Sequence, residues 1–205
     1  MMNQLYLHDL PLLRNHKYLI GVDEAGRGAL AGPVVCAAVV LDYRQVIDGL
    51  NDSKQLSPAR REALFEEITQ TAFTYKVVSI PPSYIDAFNI LEATLEGMKR
   101  AILATWKPNS LCLVDGPHLP PFPTTNVIDM RAVIDGDALH ACIAAASILA
   151  KVSRDRMMVE YGRLFPEYGF ERHKGYGTPQ HRQAIAQLGP CSIHRYSFAP
   201  IKGRG

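Results

Sequence analysis

Residues 18–41 read YLIGVDEAGRGALAGPVVCAAVVL. The ends of this stretch, 18–23 and 34–41, are apolar runs of strand length. Between them lie Gly26, Gly28, Gly32 and Pro33, the residue types that turn a chain. A connection this short joins its strands antiparallel. The second run is apolar at every position, which predicts a strand buried on both faces. A sheet that opens with an antiparallel pair is not a purely parallel, doubly wound one.

Upstream, MMNQLYLHDLPLLRNHKY (1–18) is too polar for the core of a secretion signal. The longest apolar run, around Val34 to Leu41, falls far short of the ~20 residues a membrane helix needs. The expectation is a cytoplasmic protein with no membrane partner. Downstream, a polar loop (Asn51 to Gln55) leads to Ser57 and Pro58, a helix N-cap and first helical residue, with Leu64, Phe65 and Ile68 facing the core. Residues 73–80 read as a third strand. Ser83 is expected to cap one long helix to about Ala104, with Leu91, Leu95, Met98 and Ile102 as its stripe and a Glu96–Arg100 surface pair. A fourth strand (111–114) ends at Asp115, a proline-rich loop covers 117–123, and 126–134 gives the fifth strand. Asp137 is expected to open a helix carrying Leu139, Ile143, Ala146, Ala150 and Met157 on one side. Trp106 reads as packing at a helix end.

Five strands with helices between the later ones predict a layered α/β domain with a mixed sheet. Residues 1–161 form that domain. Residues 162–205, rich in Gly, Pro, Arg and His, form a small helical and loop extension packed beside it. The 47% hydrophobic and 20% charged shares are those of an ordinary globular protein. A net charge of +2 provides no whole-molecule field for a polyanion, so nucleic-acid contacts must come from local basic clusters. Cys36, Cys112, Cys142 and Cys191 show no C-x-x-C pairing and sit mostly in apolar stretches, which argues against a disulfide framework or a zinc site.

Asp23 and Glu24 end the first strand, Asp115 ends the fourth, and Asp137 opens a helix. Carboxylates at strand ends lie on the rim of a sheet, where α/β proteins place their chemistry. Oxygen donors without His or Cys suit Mg²⁺ or Mn²⁺ over Zn²⁺. Two such ions ~3.5–4 Å apart can clamp the attacking and leaving oxygens of a phosphoryl displacement. Taken singly, each acid reads equally as a turn former or an N-cap. Adjacent strand residues point to opposite faces, so for Asp23 and Glu24 to share a site the chain is expected to leave strand geometry at Glu24. Gly26-Arg27-Gly28 permits close backbone approach to a ligand, or makes a hairpin turn with a solvated arginine. It is not G-x-G-x-x-G, so a dinucleotide site is not supported.

Together, GVDEAGRGALAGPVVCAAVVL (21–41), LNDSKQLS (50–57), LVDG (113–116), GDALHACIAAASILAKVSRD (136–155), YGFERHKGYGTPQH (168–181) and RYSFAP (195–200) resemble ribonuclease HII, the bacterial type 2 ribonuclease H, over nearly the whole chain. The resemblance implies a ribonuclease H-like fold with a C-terminal helical extension, and a divalent metal, Mn²⁺ or Mg²⁺, held by Asp23, Glu24, Asp115 and Asp137. It implies that Gly26, Arg27 and Gly28 read the 2′-hydroxyl at a ribonucleotide–deoxyribonucleotide junction and that Tyr176 stacks on the following sugar, the kind of contact that separates RNA from DNA. The implied activity is endonucleolytic hydrolysis of RNA in RNA–DNA hybrids, with nicks 5′ to ribonucleotides embedded in duplex DNA that leave 3′-hydroxyl and 5′-phosphate ends. A monomer is the expected state.

Three positions depart from the family pattern: Ala29 stands where proline is common, Asp135 where a lysine often precedes the Gly-Asp pair, and Arg195-Tyr196 where two arginines are common. Asp137, and not Asp135, aligns as the ligand. Ser53 and Lys54 read as phosphate holders or as a solvated turn. Lys151 reads as a surface partner of Asp155, four residues on. Arg172 and Lys174 flank Tyr176 and read as contacts to the hybrid backbone, with His173 a weaker candidate for a general base. An exonuclease with the same acids and a non-catalytic hybrid-binding module are the competing readings.

Overall fold

The computed structural model describes residues 3–123 and 128–202. Strand β1 (Tyr18–Ala25) pairs antiparallel with β2 (Val34–Val40), from Ile20 opposite Val40 to Ala25 opposite Val35. β3 (Thr74–Ile80) adds antiparallel to β2. β4 (Ser110–Asp115) lies parallel to β1, and β5 (Asp129–Val133) parallel to β4. The sheet therefore runs β3-β2-β1-β4-β5, mixed as the sequence indicates. Every residue of β2 is buried, while the edge strands β3 and β5 are largely open, as a sheet with helices over its centre requires. The expected fifth strand began at 126; residues 126 and 127 lie outside the described residues.

Alternation along the strands sorts the core into two layers. Leu19, Ala25, Ala37, Val39, Leu111 and Leu113 pack against α5 (Ala141–Leu164) and against Leu64 and Ile68 of α2 (Pro58–Thr71). Ile20, Val22, Cys36, Ala38, Cys112 and Val114 face Met98, Ala101 and Ile102 of α4 (Ile90–Thr105). Helix α5 is buried along the whole of 141–150, where small residues dominate. It lies so close to β1 that a Cβ on Gly21 would sit 2.0 Å from the Cys142 carbonyl carbon. Cys36, Cys112 and Cys142 are buried free thiols and Cys191 is a half-buried one.

Three local expectations are corrected. The helix expected from Ser83 is two helices, α3 (Pro82–Phe88) and α4, broken at Asn89, whose φ of 77° ends the first while its side chain caps the second through the Glu92 N–H. Asp137 does not open α5. It sits in a 3-10 turn, Gly136–Ala138, and the helix starts at Ala141, so Leu139 lies outside the helix and is 39% exposed. The fully buried stripe of α4 is Ala93, Met98, Ala101 and Ile102, with Leu91 and Leu95 at its margin.

Beyond α5 the chain forms α6 (Phe170–His173) and α7 (Pro179–Leu188). Tyr168, Phe170, Ala184 and Ile193 share one apolar cluster with Met158 of α5 and Ala31 of the β1–β2 connection. Leu30 of that connection packs with Ile185 and Ile201. The tail thus buries its apolar surface against the turn that follows Asp23 and Glu24. One more helix, α1 (Gln4–Asp9), precedes the sheet.

Candidate active site

Asp23 and Glu24 both remain in β1, opposite Ala37 and Cys36. The departure from strand geometry expected at Glu24 comes at Gly26, where φ is 98°. Their side chains accordingly leave opposite faces of the strand. Asp23 is directed to the α5 side, near Ser147, and Glu24 to the α4 side, beside Leu91, Thr94 and Leu95. Convergence is achieved at the sheet's rim: β4 ends at Asp115, and Asp23, Glu24 and Asp115 line one cleft of about 200 Å³ with Gly26, Ser53, Lys54, Ser147, Lys151 and Tyr176.

The cleft holds more negative charge than it neutralises. Burial, then the neighbouring Glu24 and Asp115 charges, push the Asp23 carboxyl well above its ordinary range. Burial also raises Glu24, against the pull of Arg27, whose Nη1 lies 3.7 Å from Glu24 Oε1. Asp115 is raised by burial, partly offset by the Gly136 N–H that donates to its Oδ1 at 2.7 Å. Asp137, 3% exposed, does not line the cleft; it lies beside it, where Lys54 Nζ donates to its Oδ2 at 3.0 Å and is held charged by it. Asp135 is exposed in a left-handed turn. Among the described residues, no group of three or more His, Cys, Asp or Glu side chains is arranged to hold a metal ion. In chemistry the donor set still fits a hard cation: three of the four carboxylates, Asp23, Glu24 and Asp115, line one cleft, with Lys54 and Lys151 as its ammonium groups. Mg²⁺ in particular keeps part of its water and takes few protein ligands.

The Gly26-Arg27-Gly28 turn is fixed from beneath. Arg195, fully buried, donates to Gly26 O at 2.7 Å, Arg27 O at 2.8 Å and Gly32 O at 3.0 Å. Arg154, also fully buried, donates to Ala31 O, Pro33 O and Lys174 O. With carbonyls as their acceptors, burial draws both guanidinium groups down, Arg195 to about 9, which leaves it charged at neutral pH. A Cβ on Gly26 would meet Arg154 Nε at 2.0 Å, so glycine is required there for packing as well as for its positive φ. Gly28 is exposed with open space around it, and the Arg27 side chain is partly exposed. Ala29 bridges to Tyr176, which ties the turn to the tail.

Tyr176 stands where this cleft meets a second one of about 510 Å³ between α2, α5 and α6, lined among others by Arg61, Lys151, Arg156, Arg172 and Lys174. Lys151 pairs with Asp155 at 2.7 Å, as expected, yet it also lies 5.7 Å from the Tyr176 ring and lines both clefts. Ser53 is buried, its hydroxyl 2.7 Å from that of Ser147. Arg172 is exposed and lies 3.5 Å from Glu171, and Lys174 Nζ donates to Glu171 O. His173 uses both ring nitrogens, Nε2 toward Tyr168 O and Nδ1 accepting from Gly175 N, so it is not placed as a base. Ser147, Arg154 and the anchoring role of Arg195 escaped the sequence reading. Arg154 lies among Lys151, Ser153, Asp155 and Arg156, so its local sequence reads as a charged helix face and gives no sign of burial.

A mixed five-stranded sheet flanked by helices, with carboxylates gathered at the rim of its central strands, defines a protein of the ribonuclease H-like class. Residues 20–201 match the family model for ribonuclease HII. A ribonuclease HII from Azorhizobium caulinodans is 53% identical over 184 residues, 90% of this chain and 69% of that one. One from Burkholderia mallei is 53% identical over 182 residues, 89% of this chain and 83% of that one. Among solved structures, ribonuclease H2 from Pyrococcus horikoshii superposes with a TM-score of 0.73 at 29% identity, covering 90% of this chain and 95% of that one. The chain belongs to the ribonuclease HII family, and is a phosphodiester hydrolase that cuts RNA–DNA hybrids endonucleolytically.

Proposed function

We propose that Asp23, Glu24, Asp115 and Asp137 hold divalent metal, Mg²⁺ or Mn²⁺, and that the cleft hydrolyses hybrid RNA and nicks 5′ to single ribonucleotides in duplex DNA, leaving 3′-hydroxyl and 5′-phosphate ends. The observation that carries this is the convergence of three undercompensated carboxylates on one cleft beside an anchored, glycine-flanked arginine. When bound, a pair of such ions supplies charge neutralisation at the attacking and leaving oxygens. The chain's own contribution is positioning, worth several kcal/mol in such reactions. Gly28 leaves the turn open to a sugar edge, and the exposed face of Arg27 and the turn's N–H groups face the 2′-hydroxyl. Tyr176 offers its ring to the next sugar. Lys54 and Lys151 bind phosphate oxygens at the cleft, with Ser53 orienting the loop that carries Lys54. Arg172 and Lys174 follow the backbone into the second cleft. We place the protein in the cytoplasm as a monomer; among the described residues no helix is long and apolar enough to cross a membrane.

The test is a DNA duplex carrying one ribonucleotide, incubated in Mg²⁺, Mn²⁺ or chelator beside an all-DNA control, with Asp23→Asn and Asp115→Asn alongside. A metal-dependent nick 5′ to the ribonucleotide, lost in both variants, is the expected result. Tight binding without cleavage in either metal would replace it with a non-catalytic hybrid-binding module.

A further inference from the structure

Helix α1 precedes the residues matched by the family model, which begin at Ile20, and contributes nothing to either cleft. Its polar side chains nonetheless reach two loops that end in the site. Toward the loop that leads to Lys54, Asn3 Nδ2 donates to Leu50 O at 2.7 Å, and Tyr6 Oη accepts from Ile47 N at 3.0 Å. Toward the segment that follows Asp137, His8 Nδ1 donates to Leu139 O at 2.9 Å. Asp9 takes His140 Nδ1 on Oδ1 at 2.7 Å and Cys142 N on Oδ2 at 3.2 Å.

Asp9 is fully buried, and Tyr43 also donates to it, at 2.5 Å. A carboxylate taken wholly out of water survives only with its acceptor sites filled, and its removal leaves buried donors unpaired. Here it does what no residue of α5 does for itself. The N-cap residue His140 makes no side-chain capping bond, and Asp9 supplies from another element the acceptor and the negative charge that a helix N-terminus favours. The turn immediately before that N-terminus carries Asp137.

The two loops meet near the site where Lys54 Nζ donates to Asp137 Oδ2 at 3.0 Å, and α1 is bonded to both. We propose that α1 is a brace that fixes the Lys54 loop relative to the Asp137 turn, with Asn3, Tyr6, His8 and Asp9 as positioning residues. The proposal rests on the reading of Asp137 and Lys54 as site residues. Tyr6 and Leu5 anchor the brace in the core, so its polar edge is held against the loops by a rigid support.

Asn3→Ala/His8→Ala removes one bond to each loop from the partly or fully exposed edge of α1, and Asp9→Asn perturbs the buried centre. Each variant is assayed on a hybrid well below its melting temperature, with hybrid affinity measured separately in chelator. Hydrogen exchange is followed at residues 136–142. The brace predicts a kcat lower by about tenfold or more, the scale expected when reacting groups shift by a fraction of an ångström. Hybrid affinity in chelator should fall by much less than kcat, since Lys54 is one of several backbone contacts, and exchange should be faster at 136–142 and at the Lys54 loop. Unchanged kcat and exchange in folded variants overturns the proposal, as does a parallel loss of kcat, affinity and global protection, which marks general unfolding. If the wild-type protein cut no hybrid, the functional reading would fall, while the exchange data alone would still decide whether α1 braces these loops.

Discussion

Asp23 carries the largest electrostatic burden in the cleft, because it is 5% exposed and shares its surroundings with Glu24 and Asp115. Holding it ionised opposes folding whenever no cation is bound, since its folded pKa is raised above the unfolded one. Asp23→Asn is therefore expected to abolish cleavage and, in chelator at pH 7, to raise the melting temperature. About 1 kcal/mol of relief corresponds to roughly 2–4 °C for a domain of this size. A lower melting temperature in chelator would show that Asp23 has a stabilising role the charge argument misses. Arg195 is the opposite case, a buried cation whose donors, among the described residues, reach the carbonyls of the Gly26-Arg27 turn and of Gly32. Arg195→Lys keeps the charge but loses the fork that reaches Gly26 O, Arg27 O and Gly32 O together. We expect it to erode discrimination between ribonucleotide-containing and all-DNA duplexes more than it weakens overall duplex affinity. Equal weakening on both substrates would remove Arg195 from any part in reading the sugar.

At the scale of elements, the contact between β1 and α5 is the tightest constraint, because Gly21 abuts the backbone at Cys142 and backbone cannot swing aside as a side chain can. Gly21→Ala should destabilise by about 3 kcal/mol or more, at or above the upper end of ordinary overpacking, and be read as a fall in the urea midpoint at unchanged m. A loss under about 1 kcal/mol would mean that α5 can slide on the sheet. The β1–β2 pair, the doubly buried β2 and the Ser57–Pro58 helix start follow from local residue types, and each is present. The break at Asn89 was hidden because a left-handed residue inside an apolar periodicity leaves no mark on the period. Asp137 looked like a helix opener because capping chemistry is local, whereas the acceptor for the α5 N-terminus comes from Asp9, far away in sequence. The convergence of Asp23 with Glu24 was legible as a requirement, but its solution was not. The chain keeps its strand through Glu24 and exploits the end of β4 at Asp115, a fact of pairing length that no local pattern contains.

For the molecule as a whole, the tail is fastened internally by three histidines, His173, His181 and His194, whose shortest hydrogen bonds fit one arrangement of protons. His181 Nδ1 donates to Tyr176 O at 3.0 Å, so its Nε2 is an acceptor; His194 Nδ1 accepts from Cys191 N at 2.9 Å, so its Nε2 carries the proton given to His181 at 3.0 Å. His181 stacks on His173 with ring centroids 4.3 Å apart, and Phe170 packs edge-on to His181. A proton added to His181 would set two N–H groups head to head, and one added to His194 would oppose the Cys191 N–H. Burial draws both rings down to about 4 from 6.5, with the neighbouring histidines adding to it. A folded pKa below the unfolded one means that the unfolded chain takes up protons first. The contribution is intact above pH 6.5 and is lost as the pH falls toward 4, by on the order of 3 kcal/mol for either ring, the two being coupled and not additive. The raised carboxyls of Asp23, Glu24 and Asp115 act with the opposite sign in chelator, favouring the folded state on acidification, so a global melting curve mixes the two. Ring resonances separate them. In folded protein at pH 5.5, His181 should be the neutral Nδ1–H tautomer and His194 the neutral Nε2–H tautomer, and hydrogen-exchange protection in α7 should weaken below about pH 5 before that of β1 and β2. Because His181 holds the Tyr176 carbonyl, hybrid affinity in chelator should fall over the same range. A charged ring on either histidine in the folded protein at pH 5.5 would refute the proton arrangement, and loss of β1 protection together with α7 would show that the tail does not loosen on its own.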